Sequence, residues 1–317
     1  MSFLIALAGA CALAPAAAAG ESAPAGALGA GTHTLQLSHD GQQRKYLLHI
    51  PAGYDPARPA PLVLAFHGGG GHAEFMADEA RYGLVGKAER AGFVVVFPNG
   101  YSRFPGGKFA TWNAGGCCGN ARDRGVDDVG FVRALVARVQ SQVSIDGARI
   151  FATGMSNGGM LAHRLACEAP DVFRAVASVA GTDATSRCAP SRPASVLHIH
   201  ARNDTHVLFT GGAGEDAFRD ASKVMDFVSV PETVARWVKR NQCAPAPRRI
   251  LDRPGAYCEA YSGCAGGVSV QLCVTEGGGH SWPGAKTVRR GKEAASAALD
   301  ANDAIWDFFT RASRPGS

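Results

Sequence analysis

The sequence predicts an α/β fold, a mostly parallel sheet with helices on both faces. Three observations carry the prediction. Short apolar runs recur along the chain and are continuous rather than alternating, as in strands buried on both sides. Stretches with helical periodicity lie between them. The 317 residues are 46% hydrophobic and 19% charged, enough to bury one large core.

Residues 34–37 and 44–50 read as the first two strands, joined through Asp40-Gly41, the turn chemistry of a hairpin. The run 61–66 follows and ends in His67-Gly68-Gly69-Gly70-Gly71. Further strands are expected at 93–97, 149–153, 175–180, 195–200 and 268–274, and helices at 73–91, 129–143, 158–168, 231–241 and 302–311. The segment 101–124 is long, glycine-rich and without either period, the kind of loop that is often functional in a compact domain. No internal repeat or Thr/Pro-rich linker interrupts the pattern, so residues 32–317 read as a single catalytic-sized domain.

Residues 1–19 read as a secretory signal. An apolar stretch from Leu4 to Leu13 precedes Ala17-Ala18-Ala19, a small-residue cleavage site, although no basic residue stands ahead of it. A disordered Ala-rich tail and a lipobox at Cys11 are the weaker readings. Residues 20–31 would then form a leader, and the mature chain would be extracellular or periplasmic. No other stretch has the character of a transmembrane span.

Of nine cysteines, Cys11 lies in the signal and an even set remains, which in an exported chain predicts disulfides. Cys243 is expected to pair with Cys264, and Cys258 with Cys273. A bridge between the adjacent Cys117 and Cys118 would be strained, so these are expected to reach Cys167 and Cys188, one each. Zinc is a poor reading because no C-x-x-C is present, and no metal or cofactor is called for. The net charge of +5 is scattered, which removes nucleic acid as a partner. Arg248-Arg249 and Arg289-Arg290 read as solvated loops.

Gly154-Met155-Ser156-Asn157-Gly158 fits G-x-S-x-G. The motif alone is weak in a chain with 40 glycines, but here it lies between a buried strand and an amphipathic helix. A sharp strand-to-helix turn needs small residues two positions either side of the serine, and it lifts the hydroxyl above the sheet. This is the nucleophile elbow of the α/β-hydrolase fold; the bland alternative is a helix N-cap. Such an enzyme also needs donors for an oxyanion. The N–H of Asn157 is one by position, and His67-Gly68-Gly69-Gly70 matches the HGGG type of loop. Gly68, Gly69 and Gly70 are all candidates, with Gly69 preferred.

The fold places the acid and the base after the nucleophile, on loops at strand ends. Asp204 follows strand 195–200, and His280 follows strand 268–274 within Gly277-Gly278-Gly279-His280. Asp183, Glu215, Asp216 and Asp220 compete for the acid, and His206 for the base. His198 and His200 alternate within a strand, so at least one is expected in the core. Trp112 and Trp282 are candidate pocket walls, and His67 a further candidate substrate contact. Asp127 and Asp128 stand ahead of a helix, where carboxylates favour the dipole, and read as caps rather than a metal pair.

Taken together, the motifs resemble the family of polyhydroxybutyrate depolymerases and feruloyl esterases. The matching segments are Phe66-His67-Gly68-Gly69, Trp112-Asn113-Ala114-Gly115-Gly116-Cys117-Cys118-Gly119, Val126-Asp127-Asp128-Val129-Gly130-Phe131, Gly154-Met155-Ser156-Asn157-Gly158-Gly159, Gly279-His280-Ser281-Trp282-Pro283-Gly284 and Ile305-Trp306-Asp307-Phe308-Phe309. The resemblance implies a serine ester hydrolase with Ser156, Asp204 and His280 as triad, acting on a polyester, an oligoester or an aryl ester. Two departures stand out. The family commonly has His-Gly before the acid loop, where this chain has His200-Ala201, and no polymer-binding domain of the kind dedicated depolymerases carry is visible. Hydroxyalkanoate esters are the first expectation and feruloyl or acetyl-xylan esters the second. A non-catalytic binding protein on the same scaffold is the reading from another class, and the complete Ser, Asp and His set argues against it. The cysteine-bearing loop 101–124 is expected to be a fixed wall rather than a mobile lid.

Overall fold

The computed structural model describes residues 28–217 and 226–313. The signal, the leader up to residue 27, and Asp220 lie outside them. The strands are β1 (Gly31–His39), β2 (Gln42–Ile50), β3 (Ala60–Phe66), β4 (Val94–Pro98), β5 (Ile145–Met155), β6 (Ala175–Val179), β7 (Ser195–Ala201), β8 (Arg248–Arg253), β9 (Ala256–Tyr261) and β10 (Val270–Thr275). The helices are α1 (Ala73–Met76), α2 (Leu84–Ala91), α3 (Gly119–Asp123), α4 (Asp128–Gln140), α5 (Asn157–Glu168), α6 (Val230–Arg240) and α7 (Ala301–Ala312).

Among the described residues one sheet has the order β1-β2-β4-β3-β5-β6-β7-β10-β9-β8. The strands from β4 to β10 in that order pair in parallel, and antiparallel strands flank them at both ends. The period-2 alternation of β3 shows why the central runs are apolar throughout. Leu62, Leu64 and Phe66 pack with residues of α4, α5 and α6, such as Leu135, Leu161 and Trp237. Val63 and Ala65 face the other way, onto α1, α2 and α7 through residues such as Met76, Leu84 and Phe308. Both faces are therefore covered, as the sequence predicts.

The hairpin of β1 and β2 turns through Asp40 (φ 48°) and Gly41 (φ 70°), two left-handed residues that match the twist of the strands. Two elements depart from expectation. The helix expected over 73–91 is two helices, because the Asp78 carboxylate accepts the N–H groups of Ala80 and Arg81 at 2.9 and 3.0 Å and turns the chain. Arg248 and Arg249 lie in β8, the exposed outer strand of a hairpin with β9, and not in a loop.

Cys243–Cys264 and Cys258–Cys273 are bonded as expected, the latter joining directly opposed residues of β9 and β10. The other pairing is corrected. Cys167 bonds Cys188, and Cys117 bonds Cys118 across a cis peptide. Helix α5 explains the first. It carries Cys167 about 16 Å from the elbow at 1.5 Å per residue, whereas Cys117 and Cys118 pack beside Met160 in the first turn of the same helix.

Candidate active site

Ser156 sits between the last residue of β5 and the first of α5 with φ 54° and ψ −121°, a positive φ that a non-glycine residue rarely adopts. Its own N–H donates to the Val179 carbonyl of the neighbouring strand at 2.8 Å. The flanking glycines are sterically required. A Cβ at Gly154 would lie 2.5 Å from the Gly158 carbonyl, and one at Gly158 would lie 2.6 Å from the His67 carbonyl. Both obstacles are backbone and cannot swing aside. Gly158→Ala is therefore expected to lower stability by about 3 kcal/mol or more, read as a drop in the denaturant midpoint. An unchanged midpoint would show that the elbow has slack.

Asp204 and His280 leave the adjacent parallel strands β7 and β10 at the sheet edge where Ser156 leaves β5. His280 Nδ1 lies 2.7 Å from Asp204 Oδ2. The other oxygen, Oδ1, accepts the backbone N–H groups of His206 and Val207 at 2.7 and 3.0 Å. Asp204 is buried, which alone would raise its carboxyl. The charge of His280 and the hydrogen bonds from His200 and His280 outweigh burial and hold it well below the usual carboxylate range. Among the described residues neither the Ser156 hydroxyl nor His280 Nε2 has a hydrogen-bond partner, so the expected bond between them is not made in this state. Catalytic hydrogen bonds of this kind commonly tighten only around substrate.

The competitors are occupied elsewhere. Asp183 is bound by Arg240 at 2.6 Å and by Thr185 at 2.6 Å. Asp216 holds Thr205 and Lys292, and Glu215 is exposed. His206 stacks flat on His280, with centroids 4.5 Å apart and planes 13° apart.

The loop after β3 approaches the serine so closely that a Cβ on Gly68 would be 3.5 Å from Ser156 Cβ. The Gly70 N–H is committed to the Ala110 carbonyl at 2.8 Å, and the Gly71 N–H to Gly68 at 3.0 Å. That leaves Gly68 and Gly69 beside Asn157, whose N–H heads α5 and has no acceptor within its own helix.

The expected substrate contacts at His67, Trp112 and Trp282 are replaced by supporting ones, since the three are 0%, 0% and 3% exposed. His67 Nδ1 donates to the Gly68 carbonyl at 2.8 Å while its Nε2 accepts the Gly100 N–H at 2.9 Å. Trp112 Nε1 donates to the His67 carbonyl at 3.0 Å. Its backbone exchanges two hydrogen bonds with the Asn157 side chain, at 2.7 and 2.9 Å. One residue of the long loop thus ties the glycine loop after β3 to the elbow. Trp282 Nε1 donates to Asn302 at 3.1 Å, and its ring meets Tyr82 edge-on. Asp127 caps α4 as expected, whereas Asp128 is buried and clamps Arg44 and the Asn113 N–H. Loop 101–124 is therefore held by hydrogen bonds and not by cross-links to other elements.

Burial dominates several imidazoles. It holds those of His67 and His163 at about 4 and that of His198 well below its ordinary value. The unfolded chain takes up protons at these groups below about pH 6.5, while the folded chain does not take them up at His67 and His163 until near pH 4. Stability is thus fully present above pH 6.5 and falls as pH drops toward 4, by up to about 3 kcal/mol per pH unit from His67 and His163. Urea midpoints at pH 7.5 and 5 should differ accordingly, and equal midpoints would contradict neutral burial.

A family model described as Esterase PHB depolymerase matches residues 44–216, a span that holds the glycine loop after β3, the elbow and Asp204. The chain belongs to this family. As an esterase of the PHB depolymerase family it is a carboxylic ester hydrolase, and its relatives agree. The putative esterase NocK of Nocardia uniformis is 33% identical over 257 residues, covering 77% of this chain and 72% of its own. Feruloyl esterase C of Emericella nidulans is 29% identical over 275 residues, 85% of this chain and 84% of its own. Feruloyl esterase B of Piromyces equi is 31% identical over 246 residues, and the match spans 42% of that longer protein. An acetyl xylan esterase from Aspergillus awamori superposes with a TM-score of 0.58 over 88% of this chain and 99% of its own, at 15% identity, and shares the fold. No helix among the described residues of the esterase is long and apolar enough to cross a membrane.

Proposed function

We propose that this esterase works through an acyl-enzyme on Ser156. His280 Nε2 takes the hydroxyl proton as Ser156 Oγ attacks the ester carbonyl, then delivers it to the departing alkoxide. Water attacks the acyl-enzyme by the same route in reverse and regenerates the serine. Asp204 keeps the imidazole in the tautomer whose Nε2 is free to accept, and it stabilises the charged form. The N–H groups of Asn157 and Gly69 take the oxyanion. The observation that carries this reading is the 2.7 Å contact between Asp204 and His280, at the sheet edge where Ser156 holds its strained turn. A fluorophosphonate probe should label Ser156 alone, read by peptide mass spectrometry. Labelling of another serine would overturn the assignment.

For substrate we propose hydroxyalkanoate esters and their soluble oligomers, the chemistry that the family description supports. A second reading, feruloyl esters of plant walls, has the support of the relatives' names. The braced loop 101–124 favours a preformed site, open to esters in free solution without activation at an interface. Measured kcat/KM values for hydroxybutyrate oligomers, methyl ferulate and p-nitrophenyl acyl esters rank the two. Faster turnover of the oligomers is expected, and preference for methyl ferulate would install the second reading. Export through the signal at residues 1–19 belongs to the same proposal, and four disulfides support it.

A further inference from the structure

Behind the acid loop, four ring side chains from three elements form one continuous buried row. Trp237 of α6 presents Nε1 to His163 Nδ1 of α5 at 2.9 Å. His163 Nε2 faces His198 Nδ1 of β7 at 3.4 Å, and His198 Nε2 faces His200 Nδ1 at 3.0 Å. His200 Nε2 then lies 2.8 Å from the Val207 carbonyl and 3.3 Å from Asp204 Oδ2. Trp237 and His163 are 0% exposed, and His198 and His200 1%.

The far end fixes the direction of the row. An indole nitrogen can only donate. His163 Nδ1 therefore accepts, and its proton lies on Nε2. That proton faces His198 Nδ1, so His198 carries its own on Nε2, facing His200 Nδ1. His200 in turn must carry its proton on Nε2, where it donates to the Val207 carbonyl and to Asp204. Reversing any ring would set two N–H groups, or two lone pairs, against each other in the core, at a cost of about 1–3 kcal/mol each.

We propose that Trp237, His163 and His198 are positioning residues that lock His200 in the tautomer which donates to Asp204. The inference rests on Asp204 being the triad acid. In the opposite tautomer His200 would turn a lone pair toward a carboxylate and a carbonyl, pushing Asp204 away from His280. Each N–H···N contact polarises the next, so the donor that reaches Asp204 is stronger than a lone imidazole would supply. The charged groups facing the row are Asp183 and Arg240 beside His163, and Asp204 with His280 behind it at the other end. Among the described residues the groups acting on His198 are its two neighbours in the row. Burial keeps His163 and His198 uncharged through the neutral range.

The first test needs no variant. Long-range 1H–15N NMR of the full chain should show pyrrole-type Nε2 and pyridine-type Nδ1 on His163, His198 and His200 at pH 8, and on His163 and His198 down to pH 5.5. A pyridine-type Nε2 on His200, or a charged His163 or His198 at pH 5.5, would overturn the proposal. The second uses His198→Phe, which keeps the ring and removes both nitrogens. It should lower kcat by about 10- to 100-fold with KM within about twofold, as expected of an interaction made only in the transition state. Its acid limb in kcat/KM should move up, because a His200 N–H no longer polarised by His198 compensates the Asp204 charge less and leaves more of that charge to favour protonated His280. His198→Gln, whose amide accepts on one side and donates on the other, should restore both parameters. A folded His198→Phe with parental kcat and pH profile, or a folded His198→Gln as impaired as His198→Phe, would refute the tautomer lock. Full activity of Asp204→Asn would instead remove the triad reading, whatever tautomers the row shows.

Discussion

Ser156→Ala should fold as the parent does and hydrolyse p-nitrophenyl butyrate with kcat lower by about 10^6-fold. Both halves follow from the elbow. Alanine keeps the Cβ, so the strain at φ 54° is unchanged. The serine hydroxyl has no hydrogen-bond partner among the described residues, so its loss orphans none of them. What disappears is the oxygen proposed to attack. The residual rate would come from the oxyanion N–H groups and binding, worth about 10^3- to 10^4-fold over water in serine hydrolases. The checks are a melting curve and a burst-corrected rate. Retention of a tenth of the activity would take Ser156 out of the role.

Asp204→Asn should lower kcat by about 10^4-fold while leaving the loop in place. The asparagine oxygen can still accept the N–H groups of His206 and Val207 that Oδ1 accepts now. Its amide nitrogen would then stand where Oδ2 meets His280 Nδ1 and His200 Nε2. Donors would face donors. His280 escapes by moving its proton to Nε2, and an imidazole so protonated cannot take the proton of Ser156. The pH dependence of kcat and a crystal structure of the variant check this. A loss smaller than tenfold would point to another carboxylate.

Much of the fold, and the placement of Ser156, Asp204 and His280 at one end of the sheet, was legible in the sequence because it rests on local rules. Gly154 and Gly158 bracket Ser156 for a steric reason, and that reason is visible in a five-residue motif. The positions of Asp204 and His280 follow from counting strands after the elbow. What escaped depends on depth and distance. β8 lacks an apolar run because Arg248, Arg249, Asp252 and Arg253 stand exposed on the outer strand. The role of Trp112 turned from pocket wall to brace because its indole and backbone are both consumed by His67 and Asn157. His163 drew no notice, since only the seating of α5 on β7 sets it against His198. Of the expected cysteine pairings, only the one that joined Cys117 and Cys118 to Cys167 and Cys188 failed, on one axis length, that of α5.

The outermost strand of the sheet carries Arg248, Arg249 and Arg253 on six residues, all exposed. A bare strand edge is a template on which a second chain can add its own strand. Arg249 is paired with Glu259 at 3.2 Å and Asp252 at 3.8 Å, so Arg248 and Arg253 leave a net positive edge, and a copy approaching edge to edge meets like charge whose repulsion grows as salt is lowered. The same hairpin that lengthens the sheet therefore also discourages its extension at this end.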